Sequence, residues 1–478
     1  MQEGLSHPKS QFSSWFLEVV SRAGLADLRY GVKGFIVHLP PAVQAMKAMY
    51  RLYEQELERR GHKPYWFPAV IPESCFQLEK EHVEGFAPEV FWITQHGDQE
   101  ELGEKLALRP TSETGIYRMF SLWIRSWKDL PLKLYQSCQV WRHETKATKP
   151  FIRGREFWWI EAHDAFATRE EAEKQVLEDM EMTERVMHQE FGIPFIFFKR
   201  PEWDKFAGAV HTYAADSLMP DGRIIQQPST HLLGQNFSKP FQILYTDEKG
   251  EKKHVWQTCY GPCIWRMLAS VIAIHGDDKG LVFPFKIAPV QVVIIPVSQD
   301  SAVIKKCKEI YEKVRERFRA ELDLTDRTPG WKFNEWELRG AAIRIEIGPK
   351  ELQTKTVTLC RRDTGSRLCV QEYELLEEIE KLGEELTQNL IKRADEWFSS
   401  QVQDAKTLDE VRKKAGKGFL RVPWCSIDEK GRDCAERLKE QFALHVRGVR
   451  VDKQEKPEGK CIICGKPAGC IVYIGRQY

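Results

Sequence analysis

An arginine and a glutamate stand two apart in Trp141-Arg142-His143-Glu144, and a basic loop leads from them to Arg153-Gly154-Arg155-Glu156-Phe157-Trp158-Trp159. Side chains of an extended chain alternate faces, so Arg142 and Glu144 are expected to point the same way from a strand. The planar guanidinium of Arg142 suits a phosphate and a carboxylate held side by side. Glu144 accepts hydrogen bonds, as the exocyclic amine of a purine requires, and Phe157 offers a flat face for the base. Together they suit a nucleoside triphosphate. The same residues also suit a salt-bridged antiparallel hairpin with a half-buried aromatic face, so the segment alone leaves both readings open.

A second chemistry lies near the C-terminus, where Cys425, Cys434, Cys461, Cys464 and Cys470 crowd together. Cys461-Ile462-Ile463-Cys464 is a C-x-x-C knuckle, and Cys425 with Cys434 completes a tetrahedral set of four thiolates. Four thiolates leave no open position, which points to structural zinc without a catalytic role. Cys470 is an alternative ligand. The seven cysteines from Cys75 to Cys369 read as small buried hydrophobes. In a reducing compartment such a cluster indicates metal and not disulfides.

Several elements must position these groups. Val43 to Arg60 reads as an amphipathic helix with Val43, Met46, Met49, Tyr50, Tyr53 and Leu57 at helical spacing. It follows a short strand within Gly34 to Pro41 that prolines end. Arg169 to Phe191 is expected as a second long helix, stopped by Gly192 and Pro194. The 130s to 160s, the 190s and the 240s to 250s are strand-rich, with a hairpin over Leu244 to Val255. Hairpin-linked strands with few crossovers predict an antiparallel sheet flanked by helices over residues 1–283, an α+β class. Beyond it, the apolar run Val290 to Val297 reads as a strand buried on both faces. A helix from Ala302 to Leu322, strands near Ala342 to Ile347 and Lys355 to Cys360, and a helix from Glu372 to Phe398 predict a small α/β unit over 284–395 with a largely parallel sheet. Residues 396–478 form the small zinc-stapled α/β unit.

The segment from Arg142 to Trp159 resembles motif 2 of the class II aminoacyl-tRNA synthetases. Arg109-Pro110-Thr111-Ser112-Glu113 resembles the amino-acid-binding TxE loop of the prolyl enzymes. Tyr260-Gly261 through Arg266, leading into Ile274-His275-Gly276-Asp277, resembles motif 3. The strand, proline and helix up to Arg60 resemble motif 1, which builds the dimer interface in that family. The chain is similar over nearly its whole length to the archaeal/eukaryotic type of prolyl-tRNA synthetase. The resemblance implies formation of prolyl-adenylate from ATP and L-proline, transfer to the 3′ end of tRNA(Pro), and a homodimer. Mg²⁺ should accompany ATP because it bridges phosphates.

By the same resemblance Arg142 bridges the α-phosphate and the substrate carboxylate, and Arg266 meets the γ-phosphate. Glu144, Arg153 and Phe157 hold the adenosine end, while Gln226 and Ser229 face the nucleotide from a loop over Ile225 to Phe237. Thr111 and Glu113 suit the secondary ammonium of a small ring, and Trp159, Glu161, His163, Phe206 and His231 complete its pocket. Trp336 to Lys350 resembles the anticodon-binding domain of class IIa synthetases. There Glu337, Arg344, Glu346 and Arg361 are candidates to meet unstacked bases, with ion pairs between strands as the alternative. In the family the carboxylate of a C-terminal tyrosine, here Tyr478, reaches toward the active site. Two departures stand out: an additional residue between Gly261 and Arg266, and Gln227-Pro228-Ser229 where the family more often has Gly-Gly-Thr. Roughly 100 residues separate motifs 2 and 3, too few for the editing insertion of bacterial prolyl enzymes.

A chain of 478 residues suggests two to three domains. With 42% hydrophobic and 29% charged residues its composition is that of a soluble globular protein. No apolar run is long enough to span a bilayer. Met1 to Ser6 lacks the basic and apolar regions of a secretory leader, so a cytoplasmic location and no membrane are expected. The net charge of +1 excludes a global nucleic-acid signature. RNA would meet local patches: Lys146, Lys149, Arg153 and Arg155; Arg361-Arg362; or Arg412-Lys413-Lys414 with Lys417. The rivals are a threonyl-type sister enzyme, a non-catalytic amino-acid or tRNA sensor, and a zinc-stabilised RNA-binding protein. Thr111 with Glu113 argues against the first, and intact Arg142, Glu144 and Arg266 against the second. The three matched nucleotide motifs argue against the third.

Overall fold

The computed structural model describes residues 4–76 and 90–478. Met1 to Glu3, part of the argument against a leader, lie outside the described residues. Helix Pro40–Arg59 begins with its prolines, where a missing N–H costs nothing. It buries Met46, Met49, Tyr53 and Leu57 along one stripe. Helix Ile264–His275 is buried almost all round and packs against it.

These helices cover one face of an eleven-stranded sheet. Its order is Val402–Asp404, Phe419–Trp424, Cys470–Gly475, His445–Arg450, Ile196–Lys199, His211–Leu218, Ile224–Gly234, Trp256–Gly261, Glu156–Phe166, Leu132–Trp141 and Lys63–Pro64. All neighbours are antiparallel except the outermost pair at each end. Leu132–Trp141 and Glu156–Phe166 form the longest hairpin, from Leu132 opposite Ala165 to Trp141 opposite Glu156. Alternation along Glu156–Phe166 sends Ile160 and Ala162 into the core and Trp159, Glu161 and His163 to the other face.

Helix Arg169–Thr183 starts with a capping box between Thr168 and Glu171. It does not run unbroken to Phe191 as expected, because Glu184–His188 is a π-turn. At the change, Thr183 Oγ1 bonds back to the Asp179 carbonyl (3.0 Å) and meets the Tyr260 hydroxyl (2.7 Å).

Residues beyond Phe283 build a five-stranded sheet in the order Ala320–Leu322, Val292–Pro296, Ile343–Ile347, Thr356–Arg361, Arg367–Gln371. The first three strands are parallel and the last two antiparallel, so the sheet is mixed where a largely parallel one was expected. The helix expected over Ala302 to Leu322 ends at Arg315, and Ala320–Leu322 becomes an edge strand. Arg319 fixes this turn by donating to the carbonyls of Ala288 and Lys286. Helix Leu375–Ser400 packs across this sheet and runs on past residue 395. Gly383 permits it, since a Cβ there would stand 2.4 Å from the Phe285 ring. Arg362 clamps Asp277 through two bonds (2.8 and 2.6 Å), tying this unit to the end of Ile264–His275.

The C-terminal residues add four strands to the large sheet. The seam is the pairing of Val449 with Lys199 and of Arg450 with Phe198. Gly448 makes this close approach possible: its φ is +125°, and a Cβ would lie 2.0 Å from the Lys199 carbonyl oxygen.

Candidate active site and metal centre

A cavity of about 480 Å³ opens on the face of the large sheet opposite the helices. Thr111, Glu113, Arg142, Glu144, Phe157, Trp159, Glu161, His163, Phe206, Gln226, Ser229, His231 and Arg266 all line it. Of the residues singled out for substrate and nucleotide, only Arg153 does not. It stands behind the wall, 3.6 Å from Glu144.

Arg142 and Glu144 reach the cavity by a route other than the expected one. Their strand ends at Trp141, and both sit in the loop that follows. Glu144 turns by accepting the Lys146 amide (2.8 Å). Arg142 donates to the Pro110 carbonyl (2.9 Å) and lies over the rings of Phe157 (5.3 Å) and Trp159 (5.5 Å). Walls that exclude bulk water lower its affinity for its proton, and the neighbouring Arg266 lowers it further. Two crowded guanidiniums of this kind are relieved by an anion between them.

Residues 225–237, expected as a loop, are mostly strand Ile224–Gly234. Gln226 and Ser229 are three apart and would face opposite ways on a regular strand. A bulge opposite Ala214 to Asp216 shifts the register between them and turns both toward the cavity. The Gln226 carbonyl accepts from Arg266 Nη1 at 3.5 Å.

The cavity also has acidic lining residues. Thr111 Oγ1 donates a short bond to Glu113 at the start of helix Glu113–Trp123. Glu161 accepts from Ser112 Oγ (2.5 Å), Gln136 Nε2 (2.8 Å) and His163 Nε2 (3.1 Å). Burial alone would raise its pKa, but His163, Ser112 and Gln136 outweigh it and hold the carboxyl below its usual range. Burial works against the His163 charge, yet Glu161 and Glu113 raise its pKa above the ordinary histidine value. His231 is the opposite case. Burial, with help from Arg200, takes it down to about 3, so it lines the cavity as a neutral ring. It bonds Thr212 and Ser229 and packs 4.8 Å from Phe206. The cavity thus brings cationic, acidic and aromatic side chains onto one surface.

Sequence reasoning missed Gln136, which orients Ser112 and Glu161 together, and Arg200, which lines the cavity. Arg200 follows an apolar strand, and its carboxylate partner Asp216 lies 16 residues away, so no local spacing marks it.

Cys425, Cys434, Cys461 and Cys464 converge, with all four Sγ atoms within 4.8 Å of one another. The Cys425–Cys434 separation of 3.8 Å matches the sulfur–sulfur distance of roughly 3.8 Å that a tetrahedron of ~2.3 Å zinc–sulfur bonds requires. Cys470 stays outside the set, its sulfur 3.8 Å from the Trp424 carbonyl. Burial and the neighbouring Cys461 raise the Cys425 and Cys434 thiols, so four thiolates need a cation to coexist.

In the second unit Arg344 pairs with Glu346 (2.9 Å) and Glu337 (3.4 Å). Arg361 is paired across the sheet with Ile343, so alternation puts it on the opposite face, held by Asp363 and Glu385. The four residues singled out there do not share one surface. At the terminus, Tyr478 donates its backbone N–H to the Ile224 carbonyl and its hydroxyl to Asp221. Its ring lies under Lys149 and Arg223, outside the cavity lining.

Three family models match the chain: the tRNA synthetase class II core domain (G, H, P, S and T) over residues 91–275, an anticodon binding domain over 291–382, and the prolyl-tRNA synthetase C-terminal domain over 408–478. The proline–tRNA ligase of Thermofilum pendens is 52% identical, with all of both chains covered. That of Pyrococcus abyssi is 43% identical over 98% of each. Among solved structures, Giardia lamblia prolyl-tRNA synthetase in complex with prolyl-adenylate superposes with a TM-score of 0.93 at 36% identity, covering 99% of this chain and 100% of that one. Prolyl-tRNA synthetase from Cryptosporidium parvum, complexed with halofuginone and AMPPNP, gives 0.91 at 33% identity over 99% of each. A cavity lined by arginines and glutamates on an antiparallel sheet, an anticodon-binding unit and a four-cysteine terminus therefore belong to one lineage, and the chain is a member of the prolyl-tRNA synthetase family.

Proposed function

We propose that the cavity is where this proline–tRNA ligase joins L-proline to ATP before transfer to tRNA(Pro). The observation that carries the reading is a cavity lined by both Arg142 with Arg266 and Glu113 with Glu161, in which, among the described residues, neither arginine is ion-paired to a carboxylate. A small zwitterion can meet both kinds of charge at once. Its secondary ammonium meets Glu113 and Thr111, its ring lies against Trp159, Phe206 and neutral His231, and its carboxylate turns to Arg142. Glu161 and His163 hold the acidic lining in place.

In the first step a carboxylate oxygen of proline attacks the α-phosphorus, and pyrophosphate leaves with the electron pair of the broken P–O bond. Arg142 neutralises the attacking carboxylate and the α-phosphate together, and Arg266 takes the γ-phosphate. These fixed cations are preorganised for charge that develops in the transition state. Phe157 stacks the adenine, Glu144 accepts from its amine with Arg153 behind it, and Gln226 and Ser229 line the nucleotide. Mg²⁺ supplies further charge on the phosphates. In the second step the terminal hydroxyl of the tRNA attacks the carbonyl carbon and gives its proton to the departing phosphate, and AMP leaves with the electron pair of the broken C–O bond.

The three functional units are assigned to 1–283, 284–395 and 396–478. The middle unit reads the anticodon, with Glu337, Arg344 and Glu346 on one face of its sheet and Arg361 on the other. Cys425, Cys434, Cys461 and Cys464 hold a structural zinc, and chelation should release one zinc per chain with loss of thermal stability. Tyr478 docks the terminus, and deleting it should lower turnover without unfolding the protein. The exposed apolar residues Leu28, Tyr30, Val32 and Val37 beside helix Pro40–Arg59 support a homodimer, checked by sedimentation. No helix among the described residues is long and apolar enough to cross a membrane, and the assigned reaction belongs in the cytoplasm.

The decisive test is ATP–pyrophosphate exchange with each of the twenty amino acids, without tRNA. Exchange with proline that disappears in Arg142→Ala supports the assignment. Exchange with another amino acid moves the specificity, and none with any amino acid favours a non-catalytic sensor.

A further inference from the structure

One buried carboxylate beside the cavity serves two arginines. Asp216 is wholly inaccessible, and Arg200 and Arg447 are 3% and 2% exposed. Arg200 donates to both Asp216 oxygens (2.8 and 2.7 Å), and Arg447 does the same from the other side (2.7 and 3.1 Å). Arg200 also donates to the Arg447 carbonyl (2.8 Å), and Arg447 to Gln477 Oε1 (2.6 Å). The nearest further anion is Asp204, 3.8 Å from Arg447, and its side chain is 44% exposed and screened by water.

Two guanidiniums on one carboxylate leave an excess positive charge in the protein interior, which is costly without a further partner. The excess lies where an anion can reach it, because Arg200 lines the cavity. Arg200 Nη2 is 3.5 Å from Gln226 Oε1, and the Gln226 carbonyl faces Arg266. Asp216 and Gln226 are also direct register partners at the bulge that turns Gln226 into the cavity. The chain of contacts thus runs Arg447, Asp216, Arg200, Gln226, Arg266. Arg447 is the only member from the C-terminal unit, carried on strand His445–Arg450 across the Gly448 seam.

We propose that Arg447 is a positioning residue for amino-acid activation, supplied by the zinc-bearing unit, which sets Arg200 and through it Gln226 in the nucleotide wall. The inference rests on the cavity being the ATP and proline site. It gives the C-terminal unit a part in the first half-reaction that a purely structural staple would not have.

Arg447→Met in the full chain is the cleanest variant, because it leaves the Arg200–Asp216 pair intact and charge-balanced. Asp216→Asn would instead strand two buried cations. In proline-dependent ATP–pyrophosphate exchange, Arg447→Met should raise the KM for ATP about tenfold while the KM for proline stays within about twofold. Zinc content should be that of the parent, and Arg447→Lys should recover part of the loss. In a cycle with Gln226→Ala the two effects on ATP KM should be less than additive, as expected of groups acting in series. A folded, zinc-loaded Arg447→Met with the parental KM for ATP would overturn the proposal, as would full additivity with Gln226→Ala. If Arg447→Met does not fold, the same cycle run with Arg447→Lys decides by the same criterion. A parent protein that shows no proline-dependent exchange refutes the reading of the cavity, and the proposal with it.

Discussion

The cavity and the five-stranded sheet of the second unit both gather arginines and glutamates, but two of the cavity's arginines are treated in the opposite way from those of the sheet. In and around the sheet the charges are paired: Arg344 with Glu346 and Glu337, Arg361 with Asp363 and Glu385, and Arg362, across to the first unit, with Asp277. In the cavity, among the described residues, neither Arg142 nor Arg266 has a carboxylate within ion-pair distance. Their recorded partners are the carbonyls of Pro110 and Gln226. Fixed charge left without a counter-charge costs stability and is tolerated where a ligand supplies the missing partner. Residue type therefore separates these regions less well than pairing does.

Breaking that contrast begins with Arg142→Ala. It severs no ion pair, so thermal stability should hardly move while kcat/KM for proline-dependent exchange falls by about 10²–10³-fold, as when one preorganised electrostatic group is removed. Glu161→Gln comes next. It weakens bonds from Ser112, Gln136 and His163 at once and should cost about 1.5–3 kcal/mol, read chiefly as a raised KM for proline. Arg344→Met should do the reverse of Arg142→Ala. A loss of about 1–3 kcal/mol in unfolding free energy is expected with exchange unchanged, because only the sheet's own network is cut. An exchange defect in Arg344→Met would erase the distinction.

The smallest effect concerns the contact between the two regions. His188 sits between Glu184 (2.7 Å) and Asp395 (2.8 Å). The Glu184 hydrogen bond, against the opposing effect of burial, raises its pKa to about 9. That is above the roughly 6.5 of an unfolded histidine, so the stabilisation is complete below about pH 6.5 and is lost as pH rises toward 9. His188→Gln should flatten the fall in melting temperature across that window, with an effect of up to about 1 kcal/mol. A parent whose melting temperature is level from pH 6.5 to 9 would remove this clamp.

Local chemistry was readable in the sequence wherever it was carried by short-range spacing. Helical spacing of Met46, Met49, Tyr53 and Leu57 marked Pro40–Arg59, which starts at its prolines and not at Val43 as expected, and the C-x-x-C knuckle found its two distant partners. Legibility failed where tertiary contacts decide the backbone. The strand Ile224–Gly234 was hidden by Pro228, whose neighbours form the bulge that aims Gln226 and Ser229. The edge strand Ala320–Leu322 exists because Arg319 is anchored to the carbonyls of Ala288 and Lys286. Arg200 and Arg447 meet across 247 residues on one carboxylate, beyond any window of periodicity.

The seam between the units has a consequence for how the chain is made. Ile196–Lys199 pairs on one side with His211–Leu218 and on the other with residues 449 and 450. While the chain is being translated, that second side is an open row of amides and carbonyls beside Phe197 and Phe198. Unpaired edges of this kind recruit other strands. At roughly 5–20 residues per second, the 251 residues from Lys199 to Arg450 take on the order of 10–50 seconds to appear. For that interval the half-made synthetase carries an adhesive margin that its own residues 449 and 450 later close. Nascent chains stalled near residue 400 should therefore be held by chaperones, and chains in which residues 449 and 450 have paired with Ile196–Lys199 should not.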